Sequence, residues 1–439
     1  MVDPYPSLVV CSATVQKRIS DSEVSVYMSI IKPASLGIIA CPGAEQFTSD
    51  VIRHLKRQYV KKYHKLADDL SAKYNMTTEE VWKRMNFIED LHRLEDDPRK
   101  RPVDRFRPPK FRLPVRFTRF ANGEFKSELL SSVKGMSVFI IQDVENHYPL
   151  AFYNLEENVC LSVNDHVMML FTTIDAALEA GAESVTLVLP TYPYSRQHKK
   201  RGREALTARW FGQMCEHSGA SRIITVDIHS KEIENTFNKL ILENLHGSYQ
   251  IIRALKDLVD LNDPDLVVVS PDTGAVDRNK FYAGNLKKPL ALLYKERDYS
   301  RVSRDASSSN ITNIRLLGDV KGKIVFMADD MLGTGGTLMK AMRELKRLGA
   351  RQIIAAASLP FFTGDAIEHF EQAYKEGIFY RIIGTNAVYH DATLLEREWY
   401  VSADITDLHA RIISRLHHGR SLSPLLENSR IIQKLLRKE

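Results

Sequence analysis

The sequence lacks several features that mark familiar classes of protein. It contains four cysteines in 439 residues, and no two of them form a C-x-x-C pair, so it indicates neither a zinc site nor a disulfide framework. No apolar run reaches the roughly 18 residues of a membrane span, and no charged-then-apolar leader follows Met1, so we expect a cytoplasmic protein without a membrane partner. The net charge of +6 is small for this length and does not favour nucleic-acid binding.

What the chain does contain is concentrated in residues 324–349. The apolar run 324–328 predicts a buried strand, and the apolar spacing of 338–348 predicts an amphipathic helix. The loop between them is rich in glycine and threonine, with Gly333, Thr334, Gly335, Gly336 and Thr337. Inward-turned amides, two hydroxyls and a helix N-terminus together favour binding of a phosphate group.

Two carboxylates precede this loop and limit the ligands that it can bind. Asp329 and Asp330 are expected to end the strand, where they would repel a phosphate unless they hold a neutral group or Mg²⁺ beside it. The vicinal hydroxyls of a sugar phosphate meet that requirement. The G-x-x-x-x-G-K spacing of a P-loop is absent, and an ordinary glycine-rich turn is the alternative.

The length and an internal repeat predict two similar domains. At 439 residues the chain should hold two or three domains. Residues 138–141 parallel 324–328, and residues 221–225 echo 380–385. The segment after 138–141 has no glycines to hold a phosphate, so we expect a single sugar-phosphate site, in the second copy. Short apolar runs within 7–48 predict strands. Residues 61–110 read as a helical excursion with a basic, proline-rich return, in which Thr77 and Glu80 predict a helix start and Trp82 belongs to an apolar stripe. For this segment a scaffold or oligomer contact is favoured over a catalytic role.

Other polar clusters follow predicted strands. Residues 196–203 include six basic side chains, which suit a polyphosphate or a solvated loop equally well. His229 ends a strand and is either structural or a ligand, and Asp272 follows another strand and could hold Mg²⁺. Residues 295–304 are highly charged and indicate either a mobile lid or a solvated loop.

Together these stretches closely resemble the ribose-phosphate pyrophosphokinase (PRPP synthetase) family over about residues 115–425. The resemblance implies an Mg²⁺-dependent transfer of pyrophosphate from ATP to ribose 5-phosphate. By the motifs that match, ATP is expected at Phe120, Asn122, Glu124, Arg196 and Gln197, and the metal at His229 and Asp272. Ribose 5-phosphate is expected at Asp329, Asp330 and Gly333, Thr334, Gly335, Gly336 and Thr337, with Lys295 and Arg297 as the catalytic pair.

The resemblance also implies an architecture. We expect an α/β protein with two tandem phosphoribosyltransferase-like domains, whose parallel sheets are flanked by helices. The first domain is predicted at 1–248, with the insertion at about 61–110, and the segment 402–439 is expected to complete it. The second domain is predicted at 249–401. A homo-oligomer is expected, and the family likeness suggests a hexamer.

Gly333 and His198 are the chief departures from the family pattern. Gly333 stands where the family's loop usually has an aspartate, and His198 stands where an acid commonly follows the Arg-Gln pair. These departures keep open a weakly active or non-catalytic regulatory subunit. A base phosphoribosyltransferase would use the same loop, but the duplicated domain and the F-A-N-G-E stretch at 120–124 disfavour it.

Overall fold

The computed structural model describes the backbone at residues 35–92, 109–200, 202–297 and 311–437. Side chains are described in the same ranges except at 87–92, 295–297 and 311–314.

The first half of the described chain supplies one parallel sheet, a hairpin and the helices that cover the sheet. Its elements are β1 (Leu36–Ala40), α1 (Glu45–Tyr74), α2 (Thr78–His92), β2 (Val115–Arg119), β3 (Phe125–Leu129), β4 (Ser137–Ile141), α3 (Val163–Glu179), β5 (Ser184–Val188), α4 (Thr207–His217), β6 (Arg222–Val226) and β7 (Ile241–Leu245).

The strands of this first sheet are parallel and follow the order β1-β4-β5-β6-β7. β4 carries buried apolar side chains on both faces, as a strand covered by helices on each side requires. The helix α3 begins at a capping box, in which Ser162 and Asp165 satisfy each other's backbone amides. β2 and β3 form a separate antiparallel hairpin.

The second half supplies a larger sheet and the C-terminal helices. Its elements are α5 (Ser248–Leu258), β8 (Leu266–Ser270), α6 (Val276–Leu286), β9 (Leu290–Arg297), β10 (Ile311–Leu317), β11 (Ile324–Leu332), α7 (Gly336–Arg347), β12 (Gln352–Pro360), α8 (Ala366–Lys375), β13 (Arg381–Thr385), α9 (Ala392–Leu395), β14 (Tyr400–Ala403), α10 (Thr406–His417), α11 (Ser423–Leu426) and α12 (Asn428–Leu436).

The second sheet has the strand order β10-β9-β8-β11-β12-β13-β14, and within it β10 runs antiparallel to β9. From β8 the chain moves outward to β9 and β10, then returns to β11 on the other side of β8. The order of the strands therefore reverses between β8 and β11. In open α/β sheets a crevice opens at the carboxyl ends of the strands at such a switch point.

The predicted α/β architecture with parallel sheets is confirmed, and one local prediction is corrected. The strand predicted at 324–328 continues to Leu332, so the acidic pair lies within β11 and does not end it. The reason is that β12 pairs with β11 as far as Leu332, whereas the pairing with β8 reaches only Phe326. Asp329 and Asp330 thus have a neighbouring strand on one side and the opening at the switch point on the other.

Two helices cover the first part of the excursion predicted at about 61–110, whose limits stay a prediction. α1 is a single helix from Glu45 to Tyr74, and α2 follows it through a capping box that pairs Thr77 with Glu80. Trp82 of the predicted apolar stripe is buried in a small cluster between α1 and α2. The strands predicted within 1–34 and the proline-rich return at 93–108 lie outside the described residues.

The C-terminal segment contacts both halves. On α10, Leu408 and Ile412 share a core cluster with Leu55 of α1. On α12, Ile432 packs with Ile252 of α5 in another cluster. The predicted domain limits at 248, 401 and 402 stay a prediction. No helix of the described residues combines the length and apolar character needed to cross a bilayer.

Candidate active site

A cavity of about 980 Å³ lies at the switch point of the second sheet, and we call it the switch-point cavity. The loops after β8 and β11 form one side of it, and the loop after β6 of the first sheet forms another. It therefore collects predicted site residues from both halves. They are Arg196, His229, Asp272, Asp329, Asp330 and the loop residues Gly333, Thr334, Gly335, Gly336 and Thr337.

The glycine-threonine loop has the backbone geometry of an anion-binding turn. Gly335 has φ of +73° and is the N-cap of α7, so no side-chain cap occupies the first amides of that helix. A Cβ at Gly335 would come within 2.2 Å of the Phe370 ring, which leaves no room for a larger residue. The amides of α7 and the hydroxyls of Thr334 and Thr337 can therefore face a bound anion.

The two carboxylates of β11 have different environments. Burial, followed by the negative charge of Asp330, raises the pKa of Asp329. Burial also disfavours ionisation of Asp330, but the hydrogen bond from His229 and the charge of Arg278 outweigh it and lower its pKa. The pair can thus hold one proton between them and offer both a donor and an acceptor to a sugar diol.

His229 connects the two halves at this point. Its Nδ1 lies 2.5 Å from Oδ2 of Asp330, a contact between residues 101 positions apart. An Nδ1–H that donates to a carboxylate leaves Nε2 with its lone pair, which is the arrangement of histidines that bind metals. The ring of His198 packs edge-on against that of His229 at 5.3 Å.

Arg196 and Asp272 complete the described polar lining that the sequence predicts. The guanidinium of Arg196 lies over the Phe361 ring, and Nη2 would be 3.7 Å from a Cβ at Gly333. A side chain of the first half thus stands beside the sugar-phosphate loop of the second. Oδ1 of Asp272 accepts from the amides of Gly274 and Ala275 at 2.9 and 3.1 Å, which orients the carboxylate.

The structure does not bring the other predicted residues into this cavity. Phe120, Asn122 and Glu124 form the turn of the β2–β3 hairpin, where the Phe120 ring is 45% exposed and the Glu124 amide donates to Asn122. Gln197 is exposed next to Arg196 but does not line the cavity.

The catalytic pair lies at the edge of the described chain. Lys295 and Arg297 belong to the end of β9, where the backbone pairs with β10. Their side chains and the rest of the predicted lid, 298–304, lie outside the described residues. The charged run 295–304 therefore begins as a strand, which its composition did not suggest.

Sequence reasoning missed two polar groups of the cavity. Arg278 of α6 lies among Asp227, Asp329 and Asp330, and Nδ1–H of His246 donates to Oδ1 of Asp227 at 2.9 Å. Burial disfavours ionisation of Asp227, but Arg278 and His246 outweigh it and lower its pKa. A helical arginine six residues after Asp272 has no linear pattern that separates it from a solvated one, so no signal in the sequence identifies it.

Comparison with known proteins identifies related sequences for both halves of the chain. The family model for the N-terminal domain of ribose phosphate pyrophosphokinase matches residues 111–219. The family model for the phosphoribosyl transferase domain matches residues 239–388. Ribose-phosphate pyrophosphokinase 2 of Schizosaccharomyces pombe is 31% identical over 312 residues, which cover 71% of this chain and 88% of the relative. Ribose-phosphate pyrophosphokinase 1 of Streptococcus agalactiae is 32% identical over 314 residues, with coverage of 71% and 88%.

A solved structure agrees in fold. The crystal structure of phosphoribosylpyrophosphate synthetase from Mycobacterium smegmatis matches with a TM-score of 0.62 and 25% identity, over 88% of this chain and 99% of that one. The two tandem phosphoribosyltransferase-like domains predicted from the sequence are thereby confirmed. The chain belongs to the ribose-phosphate pyrophosphokinase family.

Proposed function

We propose that this protein is a ribose-phosphate diphosphokinase, which transfers pyrophosphate from ATP to O1 of ribose 5-phosphate and yields PRPP and AMP. The observation that carries the proposal is the composition of the switch-point cavity. It joins an acidic pair and an anion-binding loop from the second half with Arg196 and His229 from the first. Family membership supports the same reaction.

Ribose 5-phosphate binds with its phosphate on the loop 333–337. The uncapped amides of α7 and the left-handed Gly335 support this assignment. The sugar hydroxyls then meet Asp329 and Asp330, which lie just before the loop on β11. O1 is assigned to the side of the cavity that the first half supplies.

ATP binds on that first-half side. Arg196 holds phosphate oxygens, and its position beside Gly333 brings those oxygens next to the sugar. Gln197 is assigned to the same phosphates. Adenine is assigned to Phe120, Asn122 and Glu124, whose hairpin turn is exposed and lies away from the cavity of its own chain. A homo-oligomer, a hexamer by family likeness, would let a hairpin of one subunit serve the cavity of another.

The donor set fits Mg²⁺. This ion takes one or two carboxylates and completes its shell with phosphates and water. Asp272 supplies an oriented carboxylate and His229 an imidazole whose other nitrogen is tied to Asp330. The described residues contain no group of three or more His, Cys, Asp or Glu that could hold a metal ion by themselves. When bound, Mg²⁺ neutralises charge on the triphosphate.

In the reaction, O1 of the sugar attacks the β-phosphorus in line. The new O1–Pβ bond forms as the O1–H bond and the bond from Pβ to the α,β-bridging oxygen break; that oxygen leaves with AMP, and the proton passes to solvent. The protein's part is to position the two substrates and to stabilise charge on the transferred group. Lys295 and Arg297 are assigned to that charge, as the residues that β9 presents at its carboxyl end.

A direct assay tests the proposal. Purified protein is incubated with ATP, Mg²⁺ and ribose 5-phosphate, and AMP formation is measured. Asp330→Asn should lower turnover by ~10²-fold or more, because the ring of His229 and the sugar both lose a charged partner. Asp319→Asn is the matched control, since Asp319 is an exposed aspartate before β11 that pairs with Lys323.

The other outcomes separate the competing functions. Pyrophosphate release from PRPP and a base, without AMP from ATP, would replace the proposal by a base phosphoribosyltransferase. No turnover in either assay, together with binding to an active synthetase, would select a regulatory subunit. The observation that favours this second candidate is Gly333, which leaves Arg196 without the carboxylate that the family usually places there.

A further inference from the structure

A buried polar network joins the two halves of the chain next to the switch-point cavity. Asp227 follows β6, is 6% exposed and has φ of +43°, a backbone conformation that aspartate tolerates better than most residues. Its Oδ2 accepts from Ser358 Oγ at 2.5 Å and from the Gly247 amide at 3.1 Å. Ser358 belongs to β12 and is fully buried, so the bond crosses from the first sheet to the second.

Arg278 is the charged centre of this network. Its Nη1 lies 3.4 Å from Oδ1 of Asp227 and donates to Oγ of Ser358 at 3.4 Å. The next residue, Asn279, is fully buried and bonds both the carbonyl and the amide of Ala328, at 2.8 and 2.9 Å. The helix that carries Arg278 is therefore fixed to β11 directly before the acidic pair.

The internal repeat shows what the fold requires without this network. β4 and β11 are corresponding strands of the two copies. β5 pairs with β4 as β12 pairs with β11, and these registers make Val188 of β5 equivalent to Ala356 of β12. α1 and α6 have N-caps Ala44 and Ala275, and each N-cap carbonyl accepts a side-chain bond from the fourth helical residue. The positions that correspond on this basis are Asp227 with Asn386, Ser358 with Pro190, and Arg278 with Phe47.

These three uncharged residues line a cavity of their own, which we call the repeat-related cavity. Its volume is about 450 Å³, and no lysine or arginine of the described residues lines it. It adjoins β4, whose following loop contains no glycine. The fold thus forms the same junction without a buried cation, and the network occurs where the sugar-phosphate loop occurs.

We propose that Arg278 is a positioning residue, which fixes the position of residues 227–229 relative to the acidic pair of β11 through its contacts with Asp227 and Ser358. The inference rests on the proposed pyrophosphate transfer and deepens it. Ribose 5-phosphate is assigned to the second half and the phosphates of ATP to Arg196 of the first, whereas in-line attack depends on the distance between the two substrates. A shift of about 1 Å between reacting groups can cost ~10²-fold in rate, so the network should set kcat more than affinity.

Three substitutions test the proposal. Arg278→Met removes the positive charge and the guanidinium hydrogen-bond donors, and Arg278→Lys keeps the charge. Ser358→Ala removes the hydroxyl of the second sheet that donates to Asp227 of the first. Arg343→Met is the matched control, because Arg343 pairs with Glu376 on the outer side of α7 at 47% exposure. The readouts are kcat for AMP formation, the dissociation constant of ribose 5-phosphate by calorimetry, and amide hydrogen exchange of 227–231.

Arg278→Met should lower kcat by ~10²-fold while ribose 5-phosphate affinity stays within about threefold, and exchange at 227–231 should rise. Ser358→Ala should lower kcat by about tenfold, as expected for a lost hydrogen bond to a charged group. Arg278→Lys should recover part of the turnover of Arg278→Met, and Arg343→Met should match the wild type.

Other results decide against the proposal. A loss of sugar affinity that accounts for the fall in kcat/KM would make Arg278 a substrate ligand. A Ser358→Ala variant with the kcat of the wild type would disprove the role of the Ser358–Asp227 bond in linking the two sheets. If the wild-type protein makes no AMP, the proposed function fails, but exchange at 227–231 still decides the inference, since unchanged exchange in Arg278→Met would disprove the network.

Discussion

Replacement of Gly335 by alanine should damage the sugar-phosphate loop far more than any other glycine-to-alanine change nearby. Gly335 has φ of +73°, and a side chain in this left-handed region costs roughly 1–2 kcal/mol. The added Cβ would also lie 2.2 Å from Cε2 of Phe370, which is fully buried and stacks on Trp399. Relief of such overpacking in a core costs about 1–3 kcal/mol.

These two costs combine to about 2–5 kcal/mol, and the protein can meet them in two ways. Either the loop keeps its shape and the free energy of unfolding falls by that amount, or the loop moves and the amides of α7 no longer face the phosphate. Urea unfolding measures the first outcome, and calorimetric titration with ribose 5-phosphate measures the second. Either the equilibrium constant of unfolding or the dissociation constant of ribose 5-phosphate must change by more than about tenfold.

Two other glycines provide the comparison. A Cβ at Gly333 would find neighbours no closer than 3.6 Å, so Gly333→Ala should change the unfolding free energy by no more than about 0.5 kcal/mol. Gly284 lies in α6 with open space around it, so Gly284→Ala should stabilise the protein by up to about 1 kcal/mol. If Gly335→Ala unfolds and binds ribose 5-phosphate like the wild type, the loop conformation described here is wrong.

Three further predictions address charge, capping and catalysis. Burial raises the pKa of Asp143 to about 7, so its folded form keeps a proton that the unfolded chain loses near pH 4; unfolding free energy should fall as pH rises between these values, and Asp143→Asn should flatten that slope in urea titrations. Ser162→Ala should cost about 1 kcal/mol in the same assay because it removes the cap of α3, and no change would mean that the capping box with Asp165 is not formed. Lys295→Ala should lower AMP formation by ~10²-fold with nearly unchanged ribose 5-phosphate affinity, and normal turnover would refute its catalytic role.

The parts of the fold that the sequence predicts are those set by local patterns. The apolar run before Asp329 predicts a strand, the spacing after Gly336 predicts a helix, and the Thr77–Glu80 pattern predicts a helix start, and all three occur. The exact end of β11 was not predictable, because it depends on how far β12 runs beside it. The extent of pairing depends on both strands, so the residues of one strand alone do not determine where it ends.

The candidate site divides in the same way. Motifs next to strand ends identify Asp272, the acidic pair and the loop, because a ligand-binding residue after a strand is a local feature. The contact of His229 with Asp330 and the position of Arg196 beside Gly333 join residues more than 100 positions apart. Such contacts follow from the docking of two sheets, and the sequence alone offers only the resemblance to predict them.

The repeat-related cavity indicates that both copies of the repeat form the same junction. The residues that differ between the copies then give the switch-point cavity its function. Its carboxylate Asp143 corresponds to Asp330 and accepts a backbone amide from Tyr389, as Asp330 accepts from His229. Burial raises the pKa of Asp143, whereas the pKa of Asp330 is lowered despite burial. Two differences between the surroundings account for this: the hydrogen bond that His229 donates to Asp330 and, after it, the charge of Arg278 in place of Phe47. A buried carboxylate that must stay ionised needs such a partner close by, and the half of the chain that binds the sugar is the half that has one.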